Sequence, residues 1–311
     1  MKNIFENIES MQSHIEPLHI NGLNGRMLRL PSLHAKYKTR EILLVYGHHS
    51  SIERIYGVAE VLSDYGNVTV PDLPGCGGMD SYYKIGVEPT LDAMADYLAT
   101  FIKLRYRRKK VSIIGMSLGF VIATRMLQRY PELVKRVDLL ISMVGFTRKD
   151  DAKVGMSMKR TYWMLGHVFS HKLPSIFFYN VVLHPALIRA VYAKTPNAKN
   201  KFKHLTKDEH NRSIEFEIVL WRNNDVRTYM KMLVAMIELD NCTAQIDLPV
   251  YHISVEGDQY FDNAVVEQHM RVIFTDFTEI KAVLPNHAPS IVASKKDAEP
   301  FIPKDLRKVL S

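Results

Sequence analysis

The stretch VSIIGMSLGFVIATRML, Val111 to Leu127, leaves the chain few options. Residues of strand character run into an apolar stretch of helical period with only Gly115-Met116-Ser117-Leu118-Gly119 between them, so a strand has to become a helix within one sharp corner. A corner that tight crowds the positions two before and two after its apex. Both are glycine here, and the apex is a serine. The helix that opens at Leu118 aims its free N-terminal amides and the positive end of its dipole at whatever stands before the serine.

The alternation of strand and helix recurs on both sides of that corner. PLHINGLNGRMLRLP alternates around Asn21-Gly22 and Asn24-Gly25 and reads as a short hairpin. EILLVYG, Glu41 to Gly47, is a third strand; a helix follows over Ile52–Tyr65, and NVTVPDLPG is a fourth strand running into a turn. A helix over Glu88–Tyr106, opened by Pro89 and Thr90, precedes the corner, and Arg136–Gly145 is a sixth strand. Strands apolar on both faces and separated by helices require a mostly parallel sheet covered on two sides, so the fold class is α/β. After Gly145 the alternation stops for about a hundred residues of helical and aromatic pattern. It resumes with LPVYHISVEGD as a strand, Asn263–Phe274 as a helix, TEIKAVLPNH as a strand ending at a histidine, and KKDAEPFIPKDLRKVLS as a closing helix. Residues 1–146 and 245–311 are therefore expected to form the core, with 147–244 a helical cap inserted after strand 6.

A serine hydroxyl attacks a carbonyl carbon only when it projects clear of the backbone and a base removes its proton. The Gly-x-Ser-x-Gly corner supplies the projection. Here the chain resembles the α/β-hydrolase fold superfamily over nearly its whole length. The resemblance rests on the elbow, on VYGHHS after the third strand, on DLPGCGG (Asp72 to Gly78) after the fourth, and on late strands ending in an acid and a histidine. It implies a Ser-His-Asp triad in the chain order nucleophile, acid, base: Ser117, Asp258 and His287, with Asp262 a rival acid. It also implies an oxyanion hole made by the backbone amides of His48 and Leu118. The family loop reads His-Gly-x where this chain has Tyr46-Gly47-His48, so Tyr46 must take over the local contacts of that histidine. Asp72 to Gly75 is expected to be structural support, and no cofactor is expected.

Composition narrows the rest. Two cysteines, Cys76 and Cys242, cannot make a disulfide framework, and the N-terminus shows no export signal, so the expected location is cytoplasmic. The tandem His48-His49 lacks companion ligands at metal spacing, so no metal is expected. The net charge of +8 is uneven: Arg148 to Lys207 holds twelve Lys and Arg against two acids, +10, leaving −2 for the remainder. Tyr162, Trp163 and Phe177 lie among those charges. One reading is a lid with a buried apolar underside and a solvated cationic outside; the sharper one is that the cap draws in anionic substrates or docks on a membrane surface. The apolar window Ser175 to Ala193 is broken by His184, Pro185 and Arg189, which argues for a helix pair or interfacial surface over a spanning helix. No nucleic-acid module accompanies the charge, so nucleic acid is not expected as a partner. The expected function is a serine hydrolase acting on a small or lipid-like carboxylic ester through an acyl-enzyme. The alternatives are an aminopeptidase of the proline-iminopeptidase type or a carbon–carbon bond hydrolase, and, further off, an acyltransferase or a non-catalytic binding protein.

Overall fold

The computed structural model describes residues 10–194, 206–282, 287 and 294–311. Its strands are β1 (Ile15–Ile20), β2 (Leu23–Leu30), β3 (Glu41–Val45), β4 (Asn67–Pro71), β5 (Val111–Met116), β6 (Val137–Met143), β7 (Ile246–Val255) and β8 (Phe274–Ala282). They form one sheet in the order β1-β2-β4-β3-β5-β6-β7-β8. The β1–β2 hairpin and the β2–β4 pair are antiparallel, and all other pairs are parallel. The hairpin turns at Asn21-Gly22, where φ is 52° and 79°, while Asn24-Gly25 lies within β2. Every residue of β5 is buried, as befits a strand between two helical layers.

Helices α1 (Ile52–Leu62), α2 (Leu91–Tyr106) and α3 (Leu118–Arg129) connect the parallel strands. Thr90 lies outside α2 as its cap, accepting the Ala93 amide at 3.1 Å, so the helix starts after Pro89 and Thr90 and not at Glu88. Between β6 and β7 stand α4 (Met156–Phe169), α5 (Lys172–Phe177), a π turn (Phe178–Val182), α6 (Pro185–Lys194), α7 (Lys207–Asn223) and α8 (Val226–Ile237). These helices form an insertion with its own apolar cluster, built from Leu183, Ile188, Ile214, Ile218, Val226 and Met230, apart from the main core. After β7 comes α9 (Asn263–Ile273), which passes directly into β8. The expected last strand thus begins earlier than TEIKAV; its continuation through residues 283–286 lies outside the described residues. The expected closing helix is split into α10 (Lys295–Ala298), a 3-10 turn and α11 (Lys304–Leu310), because Pro300 and Pro303 cannot continue a helical ladder. No single described helix is long and apolar enough to cross a membrane; one bent pair, Lys172–Val182 with Pro185–Tyr192, has the composition for it and breaks by 65°.

Candidate active site

The corner between β5 and α3 is held by backbone crowding. Ser117 has φ 48° and ψ −119°, a conformation that costs a non-glycine residue about 1–3 kcal/mol and persists only where its surroundings enforce it. A Cβ on Gly115 would fall 2.5 Å from the Phe120 Cα, and one on Gly119 would fall 2.1 Å from the Val45 carbonyl oxygen. Neither neighbour is a side chain that could move aside. The Ser117 amide donates to the Met143 carbonyl at 2.9 Å, tying the corner to the end of β6. The loop after β3 presses on the same point, for the Cβ position of Gly47 lies 3.0 Å from the Ser117 Cβ and 3.6 Å from the Leu118 nitrogen. Neither the His48 nor the Leu118 amide is spent on a hydrogen bond to a described group, so two N–H donors stand beside the serine.

Tyr46 is wholly buried, and its hydroxyl donates to Asp72 Oδ1 at 2.9 Å and accepts the Leu73 amide at 2.9 Å. Asp72 also takes the Arg26 guanidinium at 2.7 Å and the Gly78 amide at 2.9 Å. Burial, only partly offset by Arg26, holds this carboxyl at about 6. The Asp72–Gly78 turn is thus the fixture on which Tyr46 replaces a histidine.

The two histidines that follow reach in different directions. His48 Nε2 donates to the Tyr229 carbonyl at 3.1 Å and its ring lies 3.9 Å from the Tyr229 ring; burial lowers it to about 4, so it is a neutral donor at pH 7. His49, at φ 54°, meets Glu217 at 3.0 Å. Glu217, wholly buried, also pairs with Arg54 and accepts from the Tyr192 hydroxyl at 3.2 Å. Residues of α7 and α8 therefore hold the loop that carries one of the two amides. Nothing local in the sequence signals this, since 181 positions separate His48 from Tyr229.

Asp258, three residues past β7, meets His287 with Oδ2 2.6 Å from Nδ1. Its Oδ1 accepts the amides of Tyr260 at 2.8 Å and Phe261 at 3.2 Å. Burial pushes the Asp258 carboxyl up, but the hydrogen bond and charge of His287, with the two amides, outweigh it and leave the group below the ordinary aspartate value. A carboxylate at Nδ1 fixes the proton there and leaves the lone pair on Nε2. That Nε2 is buried, and no described group hydrogen-bonds to it, Ser117 included. Asp262 does other work, accepting the Ala264 and Val265 amides at 3.0 and 3.3 Å as the cap of α9. Ser117 at the end of β5 and Asp258 beyond β7 share the carboxyl edge of the sheet, with β6 between them, so their strands lie roughly 10 Å apart.

A second pair of the same make escaped the sequence reading: His269 on α9 places Nδ1 2.5 Å from the wholly buried Asp151. Beside Gly47 and Leu118 a narrow apolar crevice, walled by Leu73, Met94, Ile122 and Tyr229, has room for about one water molecule. Cys76 borders it, and burial pushes its thiol up to about 12, so it is no nucleophile at pH 7.

Solved structures share this fold across nearly their whole length. An esterase from Thermogutta terrifontis is 18% identical, with a TM-score of 0.61, and the match covers 96% of this chain and 98% of that one. The enol-lactonase of Burkholderia xenovorans is 13% identical at a TM-score of 0.63, covering 95% and 98%. An epoxide hydrolase is 15% identical at a TM-score of 0.63, covering 95% and 96%. No curated protein matches the chain. The family described as "Serine aminopeptidase, S33" matches residues 37–281, which takes in Ser117 and Asp258 and stops short of His287. With most of its length inside that match, the chain belongs to the S33 family of α/β-hydrolases and is an α/β-hydrolase enzyme.

Proposed function

We propose that the enzyme cleaves a carboxylic ester through an acyl-enzyme formed on Ser117. The observation that carries this reading is the strained, glycine-packed elbow on the same sheet edge as a histidine whose Nδ1 is fixed by Asp258 and whose Nε2 is buried and uncommitted. In the first half-reaction Nε2 of His287 takes the Ser117 hydroxyl proton as Oγ bonds to the carbonyl carbon, and the oxyanion is held by the His48 and Leu118 amides. Collapse breaks the ester C–O bond, and the leaving alkoxide receives the proton from Nε2. Water then enters by the same proton transfer and releases the acid, returning Ser117. Asp258 steadies the imidazolium without taking its proton. The narrow crevice beside the two amides favours a short acyl group.

The family description favours a second reading, cleavage of a peptide at its amino terminus. That substrate brings an ammonium group, which needs a free carboxylate in the pocket. Of the two wholly buried acids of the insertion, Glu217 is already committed to Arg54 and His49 and Asp151 to His269, and Glu215 is exposed and paired with Arg189 at 2.7 Å. An ammonium would have to displace a guanidinium, so the ester reading ranks first. Rates on p-nitrophenyl esters of increasing acyl length, against aminoacyl p-nitroanilides, test it. Turnover of short esters that vanishes in Ser117→Ala supports the proposal; anilide turnover with no esterase activity overturns it in favour of the peptidase.

A further inference from the structure

Most of the exposed large apolar side chains of the described residues fall in one run of neighbouring helices. Of twenty large apolar side chains that are exposed, thirteen fall between Met156 and Val191, on α4, α5, the π turn and α6. Helix α4 touches its neighbour α8 through Gly166, whose Cβ position lies 2.5 Å from a Val234 methyl; Met164 and Val168, two residues to either side, are on the opposite face and exposed. Leu173, Ile176 and Phe177 on α5 are 78%, 49% and 56% exposed. A soluble monomer rarely leaves such a patch without a partner.

Charge says what the partner is. From Ala152 to Lys207 the sequence has ten Lys and Arg and no acid. Within the patch Arg160 and Lys172 are exposed and make no ion pair among the described residues, whereas Arg189 is paired with Glu215. A second copy of the chain would set cation against cation. Nucleic acid would leave the apolar side chains wet. An anionic lipid surface satisfies both halves of the patch, receiving the apolar groups between its headgroups and the cations at its phosphates.

The bend fixes how the segment sits. The eleven-residue half Lys172–Val182 is roughly 16 Å long and breaks by 65° before Pro185–Tyr192, so neither half reaches across a hydrocarbon layer of about 30 Å. We infer that α4, α5 and α6 form a docking face that lies in the surface of an anionic bilayer without crossing it. The inference stands apart from the ester reading, because it uses no residue of the elbow or of the His287–Asp258 pair.

Flotation of the full chain with phosphatidylcholine vesicles, with and without phosphatidylglycerol, tests it at low and high salt. The protein is expected to float with anionic vesicles and poorly with neutral ones. Leu173→Asp with Phe177→Asp is expected to lower partitioning about tenfold or more, and Arg160→Gln with Lys172→Gln about fivefold per charge at low salt. Ser117→Ala should float as the wild type does, and circular dichroism should show each surface variant folded. Equal partitioning to neutral and anionic vesicles, no flotation, or flotation untouched by the two aspartates overturns the proposal. So does light scattering that finds a dimer dispersed by those aspartates, since the patch would then face a second copy.

Discussion

Two histidines in this molecule rest on buried aspartates in the same way, one at the carboxyl edge of the sheet and one at the root of the insertion. In each pair one carboxylate oxygen meets Nδ1, at 2.6 Å for Asp258 and His287 and 2.5 Å for Asp151 and His269. In each the other oxygen accepts two successive backbone amides: Tyr260 and Phe261 in the first, Thr147 at 2.7 Å and Arg148 at 3.0 Å in the second. The pairing chemistry is therefore no guide to function. What separates them is the company kept. His287 holds a buried, uncommitted Nε2 on the edge that carries the strained serine. His269 lies on α9, where the thiol of Cys242 approaches its backbone carbonyl at 3.9 Å, not its ring. Burial, with the charges of Asp240 and Asp151, raises that thiol further, so it stays protonated. One pair leaves a ring nitrogen uncommitted among the described residues; the other fastens the first residues of the insertion to the core.

Exchanging the two aspartates for asparagine should break the symmetry most sharply. Asp258→Asn is expected to lower kcat on an ester substrate by about 10⁴-fold, through loss of the tautomer that presents Nε2. Asp151→Asn should leave kcat within a few-fold and lower the melting temperature instead. His269→Ala is the next test: loss of one charge-assisted contact to a wholly buried carboxylate should cost about 1–3 kcal/mol by denaturant titration, with KM and kcat little changed.

The third test concerns acid. His252, buried on β7 and 2.9 Å from the Ser142 hydroxyl, is lowered to about 3 by burial, and His48 to about 4. Both bind a proton more readily unfolded than folded, so their contribution is full above pH 6.5 and is lost as pH falls toward 4. His252→Gln should flatten the stability profile over that range by one proton, about 1.4 kcal/mol per pH unit. The lowered Asp258 acts in the same sense only below its ordinary value of 3.8. Smallest is Asp262→Ala, which should cost about 1 kcal/mol as a lost cap on α9 and leave turnover within a few-fold.

Much of this arrangement is legible in the sequence because it is local. The elbow, the buried strands and the order of serine, acid and histidine are written in short windows whose periods and glycines allow one backbone path. Asp258 and Asp262 could not be told apart that way, since both follow β7 and both accept backbone amides; only the position of the His287 ring separates them. The ties that hold the site together were hidden for a different reason. His49 meets Glu217 across 168 positions and His269 meets Asp151 across 118, and the pairing of a loop residue with one residue of a distant helix leaves no periodicity to read. Tyr46 shows how a departure from a family pattern is absorbed. Its phenol reaches Asp72, and the loop keeps Gly47 against the serine.

Activation of Ser117 by His287 can be read from the rate at which a fluorophosphonate probe labels the protein. Rapid labelling is expected of the wild type and of His269→Ala, none of Ser117→Ala, and labelling slowed by orders of magnitude of His287→Ala. Labelling that persists at the wild-type rate without His287, or that fails when His269 alone is removed from a folded protein, would contradict it.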